Sequence, residues 1–271
     1  MQYLINTKPM NIRLNSKNAL VGAATQGIGA GIATELARCG ANVTVMARNE
    51  EKLKDFVHTL PVVSDGQKHD YLVADFSDFE SFQKIITNYF RDHDVDILVN
   101  NTNGPKPGLA SEKNTQDYQT AFDLLFKTVC ETTNLALPYM IKKGRGRIIN
   151  VSSLSVKEPI PNLALSNSIR SAVIAWSKTL ATEVARHHIT INNILTGSFD
   201  TNRIKDLIDH EARETGASVE DLKKKREEKI PMKRLGKPEE YGHFVAFLAS
   251  DYAAYLTGTS IPLDGGLNNT Y

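Results

Sequence analysis

Between an apolar segment and an amphipathic one lies Gly22-Ala23-Ala24-Thr25-Gln26-Gly27-Ile28-Gly29, a run of small residues. Side chains this short let backbone N–H groups approach an anion, and a helix that starts here adds the positive end of its dipole. The chemistry such a turn can do is to hold a pyrophosphate. Asn42 to Ala47 reads as a second strand beyond that helix, so the turn sits inside a strand, helix, strand unit. In that setting the glycine pattern points to a dinucleotide site.

The elements that must position the turn follow from hydrophobic patterning. Short β-rich runs at Asn18 to Gly22, Asn42 to Ala47, Tyr71 to Ala74, Asp96 to Asn100, Arg147 to Val151, Thr190 to Leu195 and Ser260 to Leu263 alternate with longer helical patterns. Ile28, Ile32 and Leu36 mark one amphipathic helix, which Gly40 can end in a left-handed cap. Repeated βαβ units require right-handed crossovers and a parallel sheet covered on both faces, with ligands beyond the carboxyl ends of the strands. The expected fold class is therefore α/β, a doubly wound parallel sheet of seven strands. Asp200 to Lys237 departs from the rhythm and reads as a helical flap, in which the run Lys223 to Glu228 forms a solvated face.

A chain of 271 residues with 41% hydrophobic and 23% charged residues is ordinary globular protein, which excludes disorder, collagen-like repeats and coiled coil. With 32 Lys plus Arg against 31 Asp plus Glu, nothing in the overall charge attracts nucleic acid or an anionic membrane, and a small-molecule partner fits better. Cys39 and Cys130 are too few for a disulfide scaffold and read as buried apolar fillers in a reducing, cytoplasmic compartment. His187 and His188 suit the end of a helix, and with no third ligand nearby no metal site is expected. No apolar run is long enough to span a bilayer. Residues 1–11 are expected to be an N-terminal extension and residues 12–271 one domain.

Further motifs occur in order: Asp75 after the third strand, Asn100-Asn101 at the end of the fourth, Arg234-Leu235-Gly236-Lys237-Pro238-Glu239-Glu240, and Leu263-Asp264-Gly265-Gly266. Together with the turn, they make residues 12–266 similar to the short-chain dehydrogenase/reductase family, most of all to its 3-oxoacyl-acyl carrier protein reductases. The resemblance implies a Rossmann fold with strand order 3-2-1-4-5-6-7 and a homotetramer or homodimer. At the turn, Gly22 stands where the family has Thr and Ala23 where it has its first Gly. Alanine restricts positive φ, so the turn is expected to persist only if position 23 is not left-handed, with weakened cofactor binding. At the end of the second strand, Arg48 can pair with a 2′-phosphate, which favours NADP(H) over NAD(H). By the same resemblance Asp75 and Phe76 border the adenine, Asn101 the adenosine ribose, and Gly197, Phe199 and Thr201 lie at the nicotinamide end.

The family's catalytic set is a Ser, a Tyr thirteen residues later, a Lys four beyond that, and an Asn on the preceding long helix. Ser153 fits the first role, whereas the other positions fall on Ser166, Arg170 and about Leu125. An alkyl hydroxyl is a far poorer acid than a phenol, and Arg170 keeps a fixed charge that can steady an oxyanion without relaying a proton. Lys157, four residues after Ser153, could serve if desolvation lowers its pKa. Ser153 could equally bond its own backbone. The expected function is NADP(H)-dependent oxidation or reduction of a carbonyl or alcohol substrate such as a 3-oxoacyl thioester. The alternative is a dinucleotide-binding protein without turnover, acting as a sensor or oligomer partner.

Overall fold

Strands whose residues are apolar almost throughout can only lie inside a sheet covered on both faces. In the computed structural model, which describes residues 9–270, that sheet runs β3-β2-β1-β4-β5-β6-β7, all parallel. The strands are β1 (Asn18–Gly22), β2 (Asn42–Ala47), β3 (His69–Val73), β4 (Ile97–Asn100), β5 (Gly146–Val151), β6 (Ile189–Thr196) and β7 (Ser260–Leu263). The expected extension, residues 1–11, lies outside the described residues except for its last three. Ile12 and Leu14 already pack into the core.

On one face lie α1 (Gly27–Arg38), α2 (Glu50–Thr59) and α9 (Pro238–Ala249), whose Ile32, Leu36, Leu53 and Val245 join one hydrophobic cluster. The other face is covered by α3 (Phe79–Asp92), α5 (Thr128–Lys143) and α6 (Ala164–Val184), which contribute Phe82, Ile86, Met140 and Ala181 to a second. Side-chain caps set several helix starts: Asn49 accepts from the Lys52 N–H, and Asp78 from the Ser81 N–H. Before α5, α4 (Thr115–Phe122) runs into a π-helical turn, Asp123–Lys127. The expected flap consists of α7 (Asn202–Thr215) and α8 (Val219–Lys229), separated at Gly216 in a left-handed cap. Its charge run is a solvated face, since Leu222 is the one residue of α8 that is buried.

Cys39 and Cys130 are free thiols, half-buried rather than fully buried as expected. Burial, with Glu35 nearby, pushes the Cys39 thiol up to about 11, so it stays protonated at neutral pH.

Three buried amides cross the middle of the sheet. Asn100 on β4, Asn150 on β5 and Asn193 on β6 are register partners. Asn100 Nδ2 donates to Asn150 Oδ1 at 2.9 Å, and Asn150 Nδ2 donates to Asn193 Oδ1 at 2.9 Å. Thr133 Oγ1 accepts from Asn100, and Ser177 Oγ donates to Asn193, so helices α5 and α6 are tied into the same chain of bonds. Polar groups this deep are tolerable only when paired, and here each amide is paired by its neighbour on the next strand. Asn150→Ala removes the central link and leaves both neighbours short of a partner. It should lower unfolding stability by about 1–3 kcal/mol in urea denaturation, and an unchanged midpoint would show that the ladder contributes nothing.

Candidate active site

The turn after β1 is built by close approach. A Cβ on Gly22 would fall 2.3 Å from the Asn101 carbonyl oxygen, and one on Gly29 2.3 Å from that of Ala23. Asn101 Nδ2 also donates to the Gly22 carbonyl at 3.0 Å, joining the ends of β1 and β4. Asn101 thus fastens the turn, whatever else it touches. Ala23 has φ +47°, contrary to the expectation that the turn survives only with a position 23 that is not left-handed. The surrounding contacts over-determine the backbone there and hold alanine in a conformation that glycine would adopt without strain. Gln26, Gly27, Ile28 and Gly29 open α1 and line the large cleft at the carboxyl edge of the sheet, so the donors needed for a pyrophosphate face open space. Ala24 is fully buried beneath the turn, and Thr25 follows it without lining the cleft.

Along the edge toward β2 and β3, Arg48 is exposed. It lies near Asp75, whose pKa is lowered chiefly by the Ser77 hydroxyl and N–H and, to a lesser extent, by Arg48. A cation therefore stands at the end of β2, with the Asp75 carboxylate near it. Phe76, expected to border the adenine, has its side chain turned into the core. Its ring is 7% exposed and packs on Phe82 at 5.4 Å, because it belongs to the core cluster under α3.

The cleft, of about 270 Å³, brings Ser153, Ser166 and Arg170 together with the turn. Gly197, Phe199 and Thr201, from the segment after β6, line it as well. Ser166 and Arg170 are one turn apart on the face of α6 that meets the sheet, alongside buried Ile169, Val173 and Ser177. Arg170 Nη1 donates to the Val151 carbonyl at 2.8 Å. Burial lowers the Arg170 pKa to about 10, with repulsion from Arg203 second, so the guanidinium is still charged at neutral pH. Among the described residues no carboxylate pairs with it. Tyr241 lies behind, fully buried and hydrogen-bonded to Thr196 at 2.9 Å, its phenol pushed up by burial and absent from the cleft wall.

Ser153 Oγ accepts from the Ser155 N–H at 3.2 Å, so the local backbone bond and the place at the cleft coexist. Lys157 caps the 3₁₀ turn Leu154–Val156 that follows, its N–H bonded to the Leu154 carbonyl, and it does not line the cleft. Lys157, offered as a group that could serve beside Ser153, is therefore not among the residues the cleft brings together. Leu125 sits in the π-turn and packs on Leu165 and Ile169. Several cleft residues escaped the sequence reading, Ser152, Asn202 and Arg203 among them. Ser152 is 5% exposed and its hydroxyl has no partner. Asn202 donates to Gln26 at 3.2 Å, and Arg203 follows it at the start of α7. Counting two residues on from Thr201 would have found Arg203.

The family model for enoyl-(acyl carrier protein) reductase matches residues 22–268. The 3-oxoacyl-[acyl-carrier-protein] reductase FabG of Thermotoga maritima is 32% identical over 260 residues, 94% of this chain and 99% of that protein. NADPH-dependent reductase BacG of Bacillus subtilis is 30% identical over 257 residues, 93% of this chain and 98% of that protein. The structure of L-sorbose reductase from Gluconobacter frateurii, complexed with NADPH and L-sorbose, superposes with a TM-score of 0.90 at 26% identity, covering 97% of this chain and all of that one. The chain belongs to the short-chain dehydrogenase/reductase family of oxidoreductases.

Relieving the strain at position 23 is a direct test of the turn. Ala23→Gly should raise unfolding stability by about 1 kcal/mol, the order of the left-handed penalty for an L-residue. A loss of stability in thermal or urea unfolding would mean that the alanine is not strained.

Proposed function

We propose that the protein is an NADP(H)-dependent oxidoreductase that acts on a carbonyl or alcohol, a 3-oxoacyl thioester being the first substrate to try. The observation that carries this is the convergence, in one cleft, of the phosphate turn, two serine hydroxyls and the unpaired cation of Arg170. NADPH, when bound, supplies a hydride. The N–H groups at the start of α1 hold its pyrophosphate, and Arg48 meets the 2′-phosphate. NADPH in the name of the Bacillus relative and in the sorbose reductase complex supports this choice of cofactor. Ser153 and Ser166 orient the substrate oxygen, and Arg170 stabilises the negative charge that develops on it. No side chain lining the cleft titrates near neutrality, so the proton that completes the alcohol comes from solvent.

That same lack of a positioned acid favours a second reading, a dinucleotide-binding protein without turnover. Loss of such a group costs roughly 10²–10⁴ in rate without touching cofactor binding.

Titration with NADPH and NADH, followed by quenching of the single tryptophan, Trp176, separates these readings from failure of both. NADPH should bind more tightly, and Arg48→Ala should remove about tenfold of the preference. No binding by either cofactor would overturn the dinucleotide site. Reduction of a 3-oxoacyl thioester by the unaltered protein supports the enzyme. Reduction only after Ser166→Tyr with Arg170→Lys supports the binding protein.

A further inference from the structure

Among the described residues, two arginines and no acidic residue line the cleft. Arg170 belongs to its floor. Arg203 is on the second residue of α7 and is exposed at the rim. Its guanidinium lies over the loop after β4: a Cβ at Gly104 would fall 2.3 Å from its Nη1 and 2.7 Å from its Nη2. Glycine at 104 is therefore what makes room for it. The preceding residue, Asn202, is fastened to Gln26 of the phosphate turn at 3.2 Å. One residue further along a helix turns the side chain by about 100°, which takes Arg203 away from the turn and toward Gly104 and Asn103.

Arg203 and Arg170 repel one another, and among the described residues neither is paired with a carboxylate. Like charges brought into one cleft without a counter-ion destabilise the free protein, and an anion bound between or beside them removes that cost. The positive end of α7 adds to the same field. The pyrophosphate of a dinucleotide already has its donors at the start of α1, next to Asn202, whereas the Arg203 guanidinium lies over Gly104 in the loop after β4.

We propose that the substrate is a carbonyl compound bearing an anionic group, a carboxylate or its equivalent, and that Arg203 binds that group. The inference rests on the oxidoreductase reading and narrows its substrate class. Ser153 and Ser166 then hold the carbonyl oxygen near Arg170, and the anion lies toward α7 and Gly104. The hydride is added to the carbonyl carbon and the proton to its oxygen, with the anionic group unchanged.

The test is calorimetric binding of short- and medium-chain 2-oxo and 3-oxo carboxylates, each against its methyl ester, to NADPH-saturated protein. At least one acid should bind about tenfold or more tightly than its ester. Arg203→Gln should abolish that preference while shifting the NADPH Kd by less than about threefold, and Arg203→Lys should restore part of it. If no acid is preferred over its ester, the inference is wrong. If Arg203→Gln weakens NADPH about tenfold and leaves an acid preference intact, Arg203 serves the cofactor phosphates instead. The same titrations without cofactor keep the two ideas apart. An acid preference lost in Arg203→Gln, in a protein that binds no NADPH, overturns the oxidoreductase reading and leaves the anion site standing.

Discussion

A half-buried cation without a carboxylate partner among the described residues dominates the carboxyl edge of this sheet. Taking a guanidinium out of water is costly unless an anion or several oxygens receive it. Elsewhere the molecule meets that cost with acids: at the opposite edge Asp96 is paired with Lys143, and buried Arg147 reaches Asp251 at 3.3 Å together with the carbonyls of His188 and Ser250. Arg170 has the Val151 carbonyl at 2.8 Å, and its nearest charged influence is another arginine. Such a site stores an unmet preference for negative charge, and a ligand is what satisfies it.

The framework round Arg170 explains how the charge is kept there. Helix α6 presents Ser166, Ile169, Arg170, Val173 and Ser177 toward the sheet, and Ser177 bonds the amide ladder through Asn193 at 3.1 Å. The ladder fixes β4, β5 and β6 relative to one another, and so fixes the strand ends from which Asn101, Ser153 and Gly197 enter the cleft. On the cofactor side, the bond from Asn101 to the Gly22 carbonyl and the bond from Asn202 to Gln26 hold the phosphate turn between β4 and the flap. Binding at one end of the cleft is thereby linked to the placement of groups at the other.

Much of this was legible in the sequence, for physical reasons. Central parallel strands are largely apolar on both faces, so Asp96 to Asn100 and Thr190 to Leu195 stood out as runs, within a residue of the observed Ile97–Asn100 and Ile189–Thr196, and the alternation with helical periods implied the doubly wound sheet. The family resemblance also assigned Ser153, Ser166 and Arg170 to one place. What periodicity does not encode is direction. It did not tell that Lys157 would stay off the cleft wall or that the Phe76 ring would face inward, and it expected Ala23 not to be left-handed where its neighbours hold φ +47°. Arg203 was hidden because a flap of charged helices looks uniformly solvated until its first turn is seen against Gly104.

In chemical terms, a fixed cation with two hydroxyls does what a proton-relaying pair cannot: it keeps the same charge over a wide range of pH. The pH dependence of hydride transfer from bound NADPH to a 3-oxoacyl thioester, measured in a single turnover by stopped flow, tests this most directly. With no cleft side chain titrating near neutrality, the rate should be flat from about pH 6 to about pH 9. It should then fall as Arg170 loses its charge at about 10. A clear titration between about pH 6 and about pH 9 would contradict the account, because it would require a proton-relaying side chain in the cleft where the structure has none.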